Sequence, residues 1–369
     1  MDGGEDDEAL LPHIVGTCPD MCPLAERQQR KRSRDWAVFE CVDGDFQRAS
    51  DHLAIKKFRR TVTVSEISPS DIRPLPVLWK TLQHLLQLLD SQNFPFESIH
   101  SFVLDRTRAI RQELGIQRIR DPLSATIHEE VVRFHILSQH ELLHNKERTS
   151  RSKQIDTYLN LEQLYKCLLS LLDLYATLRG GEHENEAEFY AYYVLLNLGN
   201  NGHFQAKAPL SLWLSSVPPR VLRSPPMQFA REALRCYRSD NFVGFFRLVK
   251  KATYLQACLM ELSFDAVRAT ALAALNVAEY KHHPFPLEEL GALLLLDETQ
   301  AGELCAYYGL RTGSQKVDDQ EKQCLLVKQS QFKEPEHHER TSAPPYHCSP
   351  LIVSKRSSSL FEEVKGRKV

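Results

Sequence analysis

The sequence predicts an all-α helical-repeat body followed by a winged-helix module near its C-terminal end. Three observations carry that expectation. Apolar residues recur at helical spacing from about residue 76 to residue 280, and sustained strand alternation is missing from the same stretch. After "HHPFP" the pattern becomes two short helices and then a hairpin, which is the outline of a winged helix.

The elements follow in order. Residues 1–15 are an acidic leader, expected to be disordered. Residues 16–67 hold the Cys/Pro motif "GTCPDMCP" and then a charged helix, for which Pro23 suits the first turn because its missing N–H costs nothing there. The segment "SPSDIRPLP" (Ser68–Pro76) is a proline-punctuated connection. The helical body is expected over 68–283. Its first helix places Leu78, Leu82, Leu85, Leu86 and Leu89 in one stripe. Further helices are read at about 96–114, 121–144, 155–178 and 186–198, then near 227–238, 241–250, 252–261 and 263–280. "GNNGH" and "SSVPPRVLRSPP" interrupt the series. No internal repeat has a fixed consensus, although the lengths suit stacked helix pairs. The winged-helix module is expected over 284–335. Its helices are "LEELGALLLLD" and "ETQAGELCAYYGL", "VDDQEK" is its turn and "CLLVKQ" a strand. Residues 336–369, rich in Ser, Pro, His and charge, read as a mostly disordered tail.

Composition narrows the function. The chain has 369 residues, 42% apolar and 25% charged, enough for a sizeable core. A formal net charge of -2 gives no global field toward nucleic acid, so any such role rests on local patches. Nine cysteines, odd in number and scattered, suggest reduced thiols. The acidic start lacks a signal-peptide pattern, and "LGALLLL" is far short of a membrane span. A soluble protein of nucleus or cytosol is expected, without membrane contact.

"HELLH" (His140–His144) matches H-E-x-x-H, in which two histidines one helical turn apart bind zinc and the glutamate acts as base. A zinc site needs a third protein ligand. "NKERTS" supplies none after His144, and Glu186 or Glu188 are the imaginable downstream donors. Zinc proteases of this type also align substrate on a strand, and the preceding sequence reads as helix. The expectation is therefore no metal, no cofactor and no catalytic residue, with a zinc hydrolase on His140, Glu141 and His144 as the disfavoured alternative. Cys18 and Cys22 have C-x3-C spacing with only Cys41 and His52 near to complete a site.

Two basic runs, Arg27–Arg34 and Lys56–Arg60, read as solvated faces, phosphate contacts or a nuclear-import patch. "DRTRAIRQ" spaces Asp105, Arg108 and Arg111 as a helix-surface ion-pair row or a partner contact. The second helix of the winged module carries Glu298 and Glu303 without Lys or Arg, so base reading in a groove is not expected. Its hairpin is better supplied: Arg311, Lys316, Lys322 and Lys328 are the candidate nucleic-acid contacts.

The ordered series "GTCPDMCP", "AIKKFRRT", "SDIRPLPVLWKTLQHLL", "FVLDRTRAIRQELGIQ", "HEEVVRFHILSQHEL", "ENEAEFYAYYVLLNL" and "NFVGFFRLVKKATYLQACLM" resembles the SAC-three/GANP family over about residues 16–336. Leu24 and Ala25 depart from the charged pair usual after "CP". The resemblance implies a PCI/TPR-like helical body capped by a winged helix. It implies a non-enzymatic nuclear scaffold for messenger-RNA export, which pairs with a PCI-domain subunit and a small acidic subunit. It also implies nucleic-acid binding (RNA or DNA) without sequence preference, and contact with nucleoporins. In the family motif Cys18, Pro19, Asp20, Cys22, Pro23, Asp105, Arg106 and Arg108 are structural, and the "HELLH" segment is an ordinary scaffold helix. A proteasome-type or centrosomal assembly subunit without RNA binding is the other alternative.

Overall fold

The structure, a computed structural model, describes residues 14–61, 68–144, 150–178, 183–199, 209–278, 284–317, 320–333 and 349–366. These are mostly helical. The helical series is α1 (Leu24–Ser33), α2 (Leu75–Gln87), α3 (Phe96–Ile116), α4 (Pro122–His144), α5 (Ser150–Thr177), α6 (Glu186–Leu196), α7 (Leu210–Ser215), α8 (Pro219–Leu222), α9 (Pro225–Arg238), α10 (Phe242–Lys251), α11 (Tyr254–Glu261) and α12 (Phe264–Ala278). Then come β1 (Phe285–Pro286), α13 (Leu287–Leu294), α14 (Glu298–Tyr307), β2 (Thr312–Val317), β3 (Gln320–Leu325), α15 (Pro350–Lys355) and α16 (Leu360–Lys365). The chain divides into two compact units. One comprises 1–132, 173–180 and 359–368, and the other 133–172 and 181–358.

In the first unit the α2 stripe does what its spacing demands. Leu78, Leu82, Leu85 and Leu86 are fully buried and Leu89 nearly so. Each contributes roughly 1.5–3 kcal/mol relative to an exposed position. Beside this apolar core lies a charged one. Glu40 is fully buried, and its carboxylate accepts hydrogen bonds from Arg30, from the Ile55 N–H at 2.9 Å and from the Ala37 N–H at 3.0 Å. Arg106 stands 3.4 Å from the same carboxylate. A second buried carboxylate, Glu113, receives Arg73 at 2.9 Å and Lys56 at 2.5 Å.

In the second unit α6 is buried continuously from Phe189 to Leu196, so it has no polar face and must be surrounded. Part of that cover is α9, which turns Met227, Ala230, Ala233 and Leu234 inward. α11 begins on a capping box: the Thr253 N–H donates to Gln256 and the Gln256 N–H to Thr253 Oγ1. Phe264 of α12 meets Phe245 and Phe246 of α10 edge-on, at 6.2 and 5.3 Å between ring centres.

The same unit ends in a helix–helix–sheet arrangement. Leu295 takes the left-handed conformation (φ 57°) after α13, and the Leu296 N–H returns to the Gly291 carbonyl at 2.8 Å. Gly291 has no room for a side chain, since a Cβ would stand 2.6 Å from the Leu296 carbonyl oxygen. Asp297 then caps α14 through the Gln300 N–H. The three strands are antiparallel in the order β1-β3-β2.

The structure departs from expectation in three places. β3 begins at Gln320, so Gln320–Lys322 are strand and only Cys324 and Leu325 of "CLLVKQ" belong to it. Asp318 and Asp319 of the expected turn lie outside the described residues. The shift has a simple cause: β2 is polar on both faces and gives no alternation to fix its register. Within "SSVPPRVLRSPP" a short helix, α8, starts on Pro219, a residue suited to a first turn. Finally, the expected disordered tail is corrected over 349–366, where α15 and α16 bury Ile352 and Val364 completely. α16 is fastened by specific contacts: the Leu360 N–H donates to Asp90 at 2.7 Å, and Lys365 bonds Glu130 at 2.7 Å while lying over the Trp79 ring. Residues 1–13 of the expected leader (1–15), 334–335 of the expected module, and 336–348 and 367–369 of the expected tail (336–369) lie outside the described residues.

Candidate functional site

The Cys/Pro motif is laid into the first unit by backbone bonds. The Gly16 N–H donates to the Gln117 side chain and the Cys18 N–H to the Ile72 carbonyl, both at 2.9 Å. A Cβ on Gly16 would stand 2.5 Å from the Ile72 oxygen, so only glycine passes here. Cys18 and Cys22 are buried, and burial pushes the Cys22 thiol up to about 12. Cys18, Cys22, Cys41 and His52 do not converge as a donor group among the described residues. Pro23 is buried and precedes α1, while Pro19 and Asp20 are exposed, with Asp20 paired to Arg27 at 2.6 Å.

The basic runs divide between core and surface. Arg30 is 3% exposed and bound to Glu40, whereas Lys31 and Arg32 on the same helix, and Arg34 just after it, face solvent. Lys57 is tied to Asp35 at 2.9 Å, and Arg59 and Arg60 are exposed. A cleft of about 270 Å³ opens here, lined by Gln29, Lys56, Lys57, Arg59 and Gln112 but also by Glu26. In "DRTRAIRQ", Arg106 is drawn inward to Glu40 and also bonds Asp105. Asp105 in turn accepts the Phe58 N–H at 3.3 Å, and Arg108 stacks over the Phe58 ring at 3.9 Å. Asp105 and Arg108, expected on a surface row, thus hold Phe58 against α3.

The four hairpin cations do not form one patch. Lys316 pairs in register with Glu321 and Lys322 with Gln315. Adjacent strand positions point to opposite faces, so Lys316 and Lys322 project on opposite sides of the hairpin. Lys322 also lies 4.0 Å from Glu288. Arg311, just before β2, and Lys328, just after β3, are exposed; the Lys328 backbone is left-handed (φ 60°) and donates to Asn276.

"HELLH" forms the last turn of α4, and here a sequence-based expectation is corrected. Glu186 and Glu188, the imaginable third donors, are committed to Arg220 at 2.7 Å and Arg133 at 2.8 Å. The carboxylate that does meet both histidines is Glu261, the last residue of α11. Its Oε2 lies 2.6 Å from His140 Nδ1 and its Oε1 3.3 Å from His144 Nε2. Glu141 points elsewhere: it takes Arg356 at 2.7 Å and the Tyr254 hydroxyl at 3.5 Å. Glu261 is 121 residues from His140, and no spacing rule reaches that far.

Residues 21–314 match the model of the SAC3/GANP family. The chain belongs to that family. It is 35% identical to SAC3 family protein B of Arabidopsis thaliana over 357 residues, 96% of this chain and 20% of that protein. To SAC3 family protein 1 of Schizosaccharomyces pombe it is 34% identical over 324 residues, 82% of this chain and 30% of the relative. Protein xmas of Drosophila melanogaster is 30% identical over 318 residues, 80% of this chain and 14% of the relative. The chain therefore spans less than a third of the length of each of these SAC3/GANP relatives.

Proposed function

We propose that this chain is a non-enzymatic scaffold segment in a nuclear assembly that couples transcription to messenger-RNA export. The observation that carries the reading is the order of its second unit, where a series of packed helices ends in α13, α14 and a three-stranded antiparallel sheet. That order suits a PCI-type helical body closed by a winged helix, and membership of the SAC3/GANP family agrees with it. On this reading the winged module pairs with the like module of a PCI-domain subunit, a small acidic subunit joins them, and nucleic acid is held through phosphates without sequence preference.

Two features favour a scaffold. The first unit invests its buried charges in internal ion pairs, which keep partner-facing helices in fixed register. Among the described residues, β2 lies at the edge of the second unit's sheet, where an added strand or module would pair. Affinity purification of the full chain from nuclei, followed by mass spectrometry and sequencing of bound RNA, tests the reading. A PCI-domain export subunit and a broad messenger-RNA population are expected. Recovery of proteasomal or centrosomal assemblies with no RNA would replace this reading with that of an assembly subunit.

A further inference from the structure

We propose that His140, His144 and Glu261 form a zinc site that clasps the end of α4 to the end of α11. The site is independent of the export reading and serves structure, not hydrolysis. Three donor atoms converge: His140 Nδ1, His144 Nε2 and the Glu261 carboxylate, with separations of 2.6 Å between His140 and Oε2, 3.3 Å between His144 and Oε1, and 3.1 Å between the two ring nitrogens. Zinc binds His nitrogen and carboxylate oxygen at about 2.0–2.2 Å, so two ligands of a tetrahedral ion stand about 3.4 Å apart. The two histidine distances run to different oxygens of the Glu261 carboxylate, and one donor atom from each of the three side chains lies within 4.8 Å of the others, so small side-chain rotations bring them to that spacing.

An imidazole nitrogen presents either one N–H or one lone pair. His140 Nδ1 has two neighbours at hydrogen-bonding distance, Glu261 and His144, and Glu261 Oε1 faces His144 Nε2 at 3.3 Å. With both imidazoles deprotonated at these atoms, a cation at the centre takes a lone pair from each of the three side chains. The site is also accessible: His140 and Glu261 are almost fully buried, but the His144 side chain is 17% exposed, which leaves the fourth position to water.

Glu141 decides the role. In a hydrolytic H-E-x-x-H site that glutamate activates the metal-bound water. Here its carboxylate is held by the Arg356 guanidinium and lies within reach of Tyr254, so its charge is already matched. A closed pair of helix ends, with the would-be base neutralised, is the arrangement of a structural site.

The full chain, with any affinity tag removed, is stripped with a chelator, equilibrated with zinc chloride, desalted and assayed for metal; cobalt(II) substitution reports coordination through its visible absorption. The wild type should retain about one zinc per chain, give the intense cobalt bands of a four-coordinate site, and melt at higher temperature with zinc than without. Glu261→Gln and His144→Ala should each weaken zinc binding by at least about tenfold, as losses at metal sites do. His144 is partly exposed, so its alanine variant tests the site without emptying the core. Failure of the wild type to retain zinc would overturn the proposal, leaving a His–Glu hydrogen-bonded clasp. Retention undiminished in either variant would overturn it as well, because the three donors act together.

Discussion

Glu40 shows how a single residue organises the first unit. Burial works against its charge, but hydrogen bonds from Arg30, the charge of Arg106 and the N–H groups of Ala37 and Ile55 outweigh burial and hold its carboxyl below the usual range. A carboxyl group whose folded value is depressed contributes stability at pH values above its unfolded value of about 4.3. That contribution disappears as pH falls through the lower, folded value. Glu40→Gln keeps the shape but leaves two buried guanidinium groups without a counter-charge. Removing one partner of a buried pair costs about 3–5 kcal/mol. Thermal or urea unfolding at pH 7 should show a loss of that size. Repeated at pH values falling below about 4, the gap to wild type should narrow, because the unfolded chain takes up a proton on Glu40 that the native carboxylate still refuses, until pH reaches the lower, folded value. An unchanged gap across that range would assign the stabilisation to packing instead of charge. None of this was legible in the sequence. The charges of "AERQQRKR" have the composition of a solvated helix face, and only the fold reveals that Arg30 turns inward while Lys31 and Arg32 do not.

Elements were more legible than residues. The α2 leucines, the long α3 and α4, and the paired helices α13 and α14 fall where their periodicity places them, because a helix that buries one face repeats that face every three or four residues. Reading failed where periodicity is short or missing. The six residues of α15 and of α16 are too few to show a stripe, and their burial depends on partners distant in sequence, such as Asp90 for α16. Glu261 was missed for the same reason: it looks like an ordinary helix-ending glutamate until α11 is set beside α4. The turn between α13 and α14 offers a sharp test at this scale. A Cβ at Gly291 would meet the backbone oxygens of Leu296 and Asp297 at 2.6 and 3.2 Å, and backbone cannot swing aside as a side chain can. Gly291→Ala should therefore destabilise the module by about 1–3 kcal/mol. Hydrogen exchange should quicken in α13 and α14 before it does in α6, the helix of the same unit buried from Phe189 to Leu196. Unaltered protection at 287–307 would mean that the turn relaxes freely.

For the whole molecule, the proposed nucleic-acid binding has to work in a chain of net charge -2. No net field draws an acidic polymer to such a chain, so on that proposal binding rests on a few local phosphate contacts and is weak. The hairpin supplies Lys316 on one face and Lys322 on the other, and Glu321 and Glu288 stand beside them. One strand of RNA lying along one face meets only one of these two lysines, with Arg311 or Lys328 as a second contact. Two or three phosphate contacts give a log–log salt slope of about 1.4–2 for single strands, hence roughly a tenfold loss of affinity between about 50 and 200 mM salt. Base sequence should matter little, since contacts to phosphates carry no sequence information. Titration of labelled RNA with the partnered complex checks these points. Lys316→Glu and Lys322→Glu, made separately, should differ: the variant on the bound face weakens binding several-fold and lowers the salt slope, and the other leaves both nearly unchanged. Equal effects would require RNA to wrap the hairpin tip. No effect from either would move the site to the exposed Lys31 and Arg32 of α1 and Arg34 just after it. A strong preference for one sequence would contradict phosphate-only binding altogether, since the acidic α14, the helix that would enter a groove, carries no Lys or Arg.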